Sequence, residues 1–406
     1  MTSTLPYITL YSKLTIEEFN GNIETERARC QNASTTPIPY YRVYEQMIFN
    51  DYERTNYEPG LIYLDEVDKS KISRGVTWLL KKIGSTILAG QSVMSISLPV
   101  FVFDKRTLHE VFAYEHRGAP YYLSHAAHAT DKYERMKWMV VYVISQFYIS
   151  SFQIKPFNPI LGETFQCRIG NMNFYSEQTA NHPITSNFYC FDDEGLYKVH
   201  GYILTYASTG ANSVTAKKKG KYEVTFKDGT NYRIYLPYAY ITGITMGKRL
   251  YNYTEKMCIV DNTNKLCACV QMNPDKVGYW KSWFTSKQQT FPDTFNGKVV
   301  KLEDVVLSDD SKHQIKDNSV EFVNIKGEWT DHCSFDDEVY WNVNDNKLFI
   351  INEVGYKCPS DGRYRKDLIE LIKGNEKQSQ IEKEAMENMQ RRDRKLRAEW
   401  KEKEKK

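Results

Sequence analysis

Three stretches of this 406-residue chain bring together side chains suited to holding an anion. Near the C-terminal end, Lys383, Glu387 and Arg391 stand at steps of four, the spacing that lines side chains along one ridge of a helix. Two cations on that ridge can hold a phosphate, Arg through a forked pair of bonds and Lys as a point charge, while Glu387 fixes their orientation. Far upstream, the run Lys155 to Phe165 (KPFNPILGETF) is a turn stiffened by Pro156 and Pro159, and it offers a cation, an amide and a glycine. Prolines that fix a turn hold its side chains in place at low entropic cost. The third stretch, Ser176 to Ile184 (SEQTANHPI), again presents polar groups and a histidine ahead of a proline.

The chain has no G-x-S-x-G elbow, no P-loop, no G-x-G-x-x-G after a strand and no H-E-x-x-H. His125 and His128 are three apart, but no carboxylate or Cys stands nearby at a matching spacing, so they read as ordinary polar residues and no metal is expected. Asp192-Asp193 and Asp309-Asp310 lie in turn-like contexts. The eight cysteines form no C-x-x-C pair, and free thiols in a reducing compartment are expected. Nothing in the sequence asks for an enzyme or a cofactor.

The elements that must position the three stretches follow from periodicity. Residues 1–73 are polar, Tyr-rich and interrupted by Pro37 and Pro39, and read as an irregular extension. Within them, Tyr63 to Asp68 (YLDEVD) faintly resembles short acidic-aromatic docking motifs. Trp78, Leu79, Ile83 and Leu88 fall on one side of a short amphipathic helix with Lys81 and Lys82 opposite, in a segment (74–97) read as a surface helix or a lid that touches membranes. Asp131 to Phe152 reads as a helix whose stripe is Met136, Met139, Val140, Val143, Ile144 and Phe147, ended by Pro156 and Pro159. From about 164 to 350 the period becomes two. Tyr222–Phe226 and Tyr232–Leu236 alternate on either side of Asp228-Gly229, which predicts a hairpin. Similar alternation at 198–205, 257–260, 266–271 and 321–329 predicts a large antiparallel sheet, and a sheet of that size tends to curl into a barrel. Residues 361–406 return to helix.

Composition narrows the function classes. Thirty Tyr and nineteen Phe favour strands, where flat rings pack on the pleat. A net charge of +3 is too mild to argue for nucleic acid, but it permits contact with an anionic membrane surface. The N-terminal residues do not read as a secretory signal. The most apolar run, Trp138 to Ile144, is far shorter than the roughly 20 residues needed to cross a bilayer.

KPFNPILGETF closely resembles the signature of the oxysterol-binding-protein-related family, and SEQTANHPI stands where that family has EQVSHHPP. WLLKKIG with SISLPVF (Ser95 to Phe101), LPYAYITGI (Leu236 to Ile244), GEW (Gly327 to Trp329), VYWN (Val339 to Asn342), DGRYRKD and MQRRDRK match in the same order, so the resemblance spans roughly residues 74–400. It implies a mainly β fold with flanking helices (α+β): a large, nearly complete antiparallel β-barrel around an apolar lipid tunnel, with an N-terminal lid (74–97) and C-terminal helices. The lipid-binding domain would run over 98–406, with helices in 105–152, the barrel in 160–355 and the last helices in 361–406. It also implies lipid transfer between membranes, with a sterol or phosphatidylserine exchanged for phosphatidylinositol 4-phosphate at membrane contact sites.

Carried over residue by residue, the phosphoinositide headgroup site would be Lys155, Asn158, Asn181, His182, Lys383, Glu387 and Arg391, so that the three polar stretches converge. The family's paired histidines are Asn181-His182 here. Asn181 can donate a bond but cannot become cationic, which predicts headgroup affinity weaker by about 1 kcal/mol. The expected partners are membrane lipids reached by transient peripheral contact, and the expected protein is a cytoplasmic monomer. Sterol and phosphatidylserine stay equally open as cargo. A lipid sensor or scaffold binding the same ligand without net transfer is the alternative, with the charged tail as its partner site.

Overall fold

The computed structural model describes residues 97–404 apart from 152–153, 182, 211, 245, 248, 275–292 and 355–356, with short pieces at 52–54, 61–63, 70, 73–75 and 77–78. Within the stretch read as irregular lie two short paired strands, β1 (Tyr52–Arg54) and β2 (Leu61–Tyr63). Trp78 is helical and half-exposed; Leu79, Ile83 and Leu88 lie outside the described residues.

The chain then crosses a 3-10 turn at Val100–Val102 into strand β3 (Phe103–Thr107). Helix α1 (Leu108–Glu115) therefore begins three residues later than expected. The reason is a buried ion pair, Asp104 with Arg106 at 2.6 Å, which lets polar residues occupy a strand inside the protein. Thr107 and Glu110 form a reciprocal capping box that starts α1. Helices α2 (Ala119–His128) and α3 (Lys132–Ile149) follow, α3 capped by the Asp131 carboxylate. All six residues of the predicted α3 stripe are buried. His125 and His128 each bond through Nδ1 to the carbonyl four residues back.

Strand β4 (Lys155–Phe157) pairs in parallel with β3. The main sheet comprises β5 (Thr164–Ile169), β6 (Met172–Asn181), β7 (Ile184–Asp192), β8 (Tyr197–Thr209), β9 (Ser213–Phe226), β10 (Asn231–Tyr235), β11 (Tyr238–Thr242), β12 (Leu250–Asp261), β13 (Leu266–Met272) and β14 (Thr294–Lys301). A small hairpin, β15 (Val305–Val306) and β16 (Gln314–Ile315), precedes β17 (Val323–Glu328), β18 (His332–Phe335), β19 (Glu338–Asn342) and β20 (Ile351–Glu353). The predicted hairpin is β9–β10, with Thr225 opposite Asn231 across the Asp228-Gly229 turn.

Neighbouring strands are antiparallel in the order β19-β18-β17-β14-β13-β12-β10-β9-β8-β7-β6-β5-β20, with β11 bridging β9 and β12, and β2 on β12. Thirteen strands laid flat would span about 58 Å at the usual spacing. Yet the two end strands, β19 and β20, are joined by residues 343–350 alone, a connection that reaches roughly 30 Å at full stretch. The sheet must curl until its edges approach, which makes it a nearly closed barrel. Arg117 of the segment between α1 and α2 clips this connection, donating from Nε to the Phe349 carbonyl at 2.7 Å.

One face of the sheet carries the core. Phe112, Tyr142 and Phe147 from the helices pack in one cluster with Phe174, Phe188, Tyr222 and Tyr253 from the strands. At β12–β13 the outer face is covered as well: Cys258, Val260, Cys267 and Cys269 lie under Leu302, Val305, Leu307 and Ile315. The seven described cysteines carry free thiols. After Asp361 a 3-10 turn leads to α4 (Lys366–Ile372) and α5 (Glu376–Glu404). None of the described helices is long and apolar enough to cross a membrane.

Candidate anion-binding site

The KPFNPILGETF turn is held from three sides. Phe157 is buried and stacks on Phe103 with ring centroids 4.7 Å apart, and it packs in a small cluster with Val100, Leu368 and Leu371. Gly162 adopts φ of 81°, a left-handed conformation that glycine enters without cost. The Glu163 carboxylate closes the turn by accepting from the Ile160 amide at 2.9 Å.

Arg365, just ahead of α4, secures this carboxylate. Its Nη1 donates to Glu163 Oε2 at 2.9 Å and to the Asn158 carbonyl at 2.8 Å, while Nε and Nη2 grip Asp367 at 3.0 and 2.8 Å. Burial works against the guanidinium's charge, but Glu163 and Asp367 outweigh it and hold the group charged. Arg363 does a parallel task one strand further, binding Asp361 and the Gln166 carbonyl. The DGRYRKD stretch thus fastens the C-terminal helices to the turn and to β5.

This frame brings Lys155 and α5 together. The Lys155 ammonium donates to Asn158 Oδ1 at 2.6 Å and to the Pro156 carbonyl at 3.2 Å, and it lies 4.8 Å from the centre of the Phe103 ring. The Lys383 ammonium lies 5.5 Å from the same ring. Two cations therefore share one aromatic ring. Lys383 is buried and donates to Glu387 Oε1 at 2.5 Å and to Ser97 Oγ at 3.0 Å. Ser97 in turn donates to Glu387 Oε2 at 2.7 Å, and Arg391 Nη2 reaches that oxygen at 3.2 Å. The predicted ridge of α5 is thus formed, with Glu387 between its two cations.

The electrostatics are those of a site with positive charge to spare. Burial first, then the like charges of Lys383 and Arg365, push the Lys155 ammonium down to about 7, against an upward pull from Glu387. Burial also opposes ionisation of Glu387, but its bonds from Lys383 and Ser97, and the charges of Lys383 and Arg391, hold its carboxylate below the usual range. An oxyanion entering beside Lys155 and Lys383 would relieve their repulsion and receive their protons in charge-assisted bonds.

The second polar stretch comes alongside through its backbone. The Gly162 amide donates to the Gln178 carbonyl and the Gln178 amide to the Glu163 carbonyl, both at 2.9 Å. Gln178 is buried and accepts from Ser186 at 2.7 Å. Asn181, at the end of β6, accepts from Gln178 Nε2 at 3.3 Å through its own Oδ1. Of the predicted headgroup residues, Lys155, Asn158, Lys383, Glu387 and Arg391 are thus linked around Phe103. Asn181 is tied to its own strand. His182 lies outside the described residues.

Sequence reading missed Ser97, Phe103, Glu163 and Arg365. Their roles depend on partners up to 290 residues away. The alternating charges of Arg363, Arg365 and Asp367 ahead of an apolar helix were the available signal.

A family model described as Oxysterol-binding protein matches residues 83–406. The chain is 32% identical over 343 residues to oxysterol-binding protein 9 of Dictyostelium discoideum, covering 83% of this chain and 78% of that protein. It is also 32% identical over 218 residues to oxysterol-binding protein-related protein 5 of Mus musculus, over 50% of this chain and 24% of that longer protein. In fold it resembles the Osh3 ORD of Saccharomyces cerevisiae, crystallised in complex with PI(4)P (TM-score 0.61, 18% identity, 85% of this chain and 88% of that one). It also resembles the Osh1 ORD domain in complex with cholesterol (TM-score 0.62, 17% identity, 89% and 88%).

Proposed function

This chain belongs to the oxysterol-binding protein family, and we propose that it is a lipid carrier: it takes one membrane lipid into the barrel and moves it between membranes, exchanging it for a phosphoinositide. The observation that carries this reading is the pair of ammonium groups, Lys155 and Lys383, on the Phe103 ring, with Glu387 and Arg391 beside them. That grouping suits a phosphomonoester, and it joins one end of the barrel to the last helix. The Osh3 ORD has been solved with PI(4)P and the Osh1 ORD with ergosterol and with cholesterol, which supports a phosphoinositide and a sterol as the ligand classes to test. Phosphatidylserine is the other cargo the sequence motifs suggest. The protein would act as a peripheral visitor to membranes and not as an enzyme, with residues 74–97 as its lid.

The test begins with mass spectrometry of lipids that copurify with the protein, followed by extraction of those lipids from liposomes. One lipid per chain, displaced by phosphatidylinositol 4-phosphate, is the expected result. Lys155→Ala and Arg391→Ala should each abolish phosphoinositide extraction while the unfolding midpoint stays in place. Normal extraction by both variants would remove the site. Binding without movement of lipid between vesicles would favour a sensor over a carrier.

A further inference from the structure

Helix α5 has a second side that the anion site does not use. At 100° per residue, Ser379 and Lys383 face the body of the protein, and both are buried. Ile381, Met389, Leu396 and Trp400 fall within about 100° of arc on the opposite side, and they are 50–63% exposed. Single exposed apolar side chains are ordinary, but four large ones along one helical arc form a stripe. The charge of α5 also changes along its length. Residues 376–390 hold two Lys against four Glu, whereas residues 391–406 hold nine Lys/Arg against four Asp/Glu. The basic half is the one that carries Leu396 and Trp400.

A second copy of the chain fits this stripe poorly. Both ways of drawing a seven-residue seam through Met389 and Leu396 place Glu382 and Lys403 in it, and one adds Arg392 and Glu399, the other Asp393. An anionic bilayer surface fits both features. Trp, Leu and Met can enter the boundary between headgroups and acyl chains while the surrounding Lys and Arg stems reach up to lipid phosphates and carboxylates.

We propose that the outward stripe of α5, centred on Leu396 and Trp400 with Arg392, Lys395, Arg397 and Lys403 around it, is a docking surface for anionic membranes. Its purpose rests on the carrier reading, because the same helix holds the anion site on its inner side; its evidence is the helix alone. Lys383 and Trp400 are about 25 Å apart along the axis, so one rigid element would tie the membrane surface to the site.

The experiment is flotation of the full chain with vesicles of phosphatidylcholine alone or of equal parts phosphatidylcholine and phosphatidylserine. The wild type should float with the mixed vesicles and not with the neutral ones. The double variant Leu396→Ala, Trp400→Ala should reduce the bound fraction by at least about tenfold, as should Arg392→Glu with Lys403→Glu, two exposed cations on the same arc. A water-soluble short-chain phosphoinositide, bound without vesicles, reports the anion site separately, and its affinity should be the same in both variants. Flotation of the apolar variant at the wild-type level would overturn the proposal. So would a wild type that ignores anionic vesicles, or a wild-type dimer that the apolar variant splits into monomers in light scattering, since a second copy would then cover the stripe.

Discussion

Lys155 must hold a positive charge where burial and two neighbouring cations disfavour it, and this gives the site a pH signature. The side chain titrates at 10.5 in an unfolded chain and at about 7 in the fold. Between those values the unfolded chain keeps a proton that the folded chain has released, so this residue makes stability rise with pH across the window and adds nothing below it. Anion binding carries the opposite sign. An oxyanion next to Lys155 draws the proton back, so affinity falls as pH climbs above about 7. A phosphomonoester takes its second charge near pH 6, and affinity for a short-chain phosphoinositide should therefore be greatest between about 6 and 7. Lys155→Arg keeps its proton throughout, so the alkaline fall should flatten even if the level of binding changes. A wild-type titration with no fall between pH 7 and 9 would mean that Lys155 does not face the ligand.

At the scale of elements, the site is only as firm as the clasp between the KPFNPILGETF turn and α4. Arg365, Glu163 and Asp367 are each almost wholly buried, so solvent does little to screen them. Arg365→Met removes the cation and strands two buried carboxylates, which should cost about 3–5 kcal/mol in denaturant unfolding; a loss under about 1 kcal/mol would mean that the carboxylates find other partners. This clasp also marks where sequence stops being informative. The β9–β10 hairpin was legible because the Asp228-Gly229 turn and the alternation on either side of it are local. The α3 stripe was legible because one helical face stays apolar from Met136 to Phe147. Strand β3 was not, because Asp104 and Arg106 make its pattern look polar until their mutual pairing is seen. The α5 ridge could be read from steps of four, but its meeting with Lys155 over Phe103 could not, since pairing across more than 200 residues leaves no mark on spacing.

The whole molecule brings the start of the described domain, the first polar turn and the last helix to one place. Ser97 bonds to both Lys383 and Glu387, the Val100 amide donates to Gln380 Oε1 at 2.9 Å, and Arg74 sits over the Phe101 ring at 4.6 Å. The segment proposed as a lid therefore leaves the body at the anion site itself, while the barrel is built from strands that lie between residues 164 and 353. Cover and barrel should accordingly be separable. A deletion of residues 74–96 stops short of Ser97, so the bonds that Ser97 makes to α5 are retained. The shortened protein should unfold cooperatively and still bind a short-chain phosphoinositide, because Lys155, Lys383, Glu387 and Arg391 keep their partners. A long-chain lipid loaded into it should escape to a cyclodextrin trap at least about tenfold faster than from the intact chain, since a lid slows release by closing the exit. Equal escape rates would show that residues 74–96 do not cover the lipid, and loss of short-chain binding would show that they belong to the anion site instead.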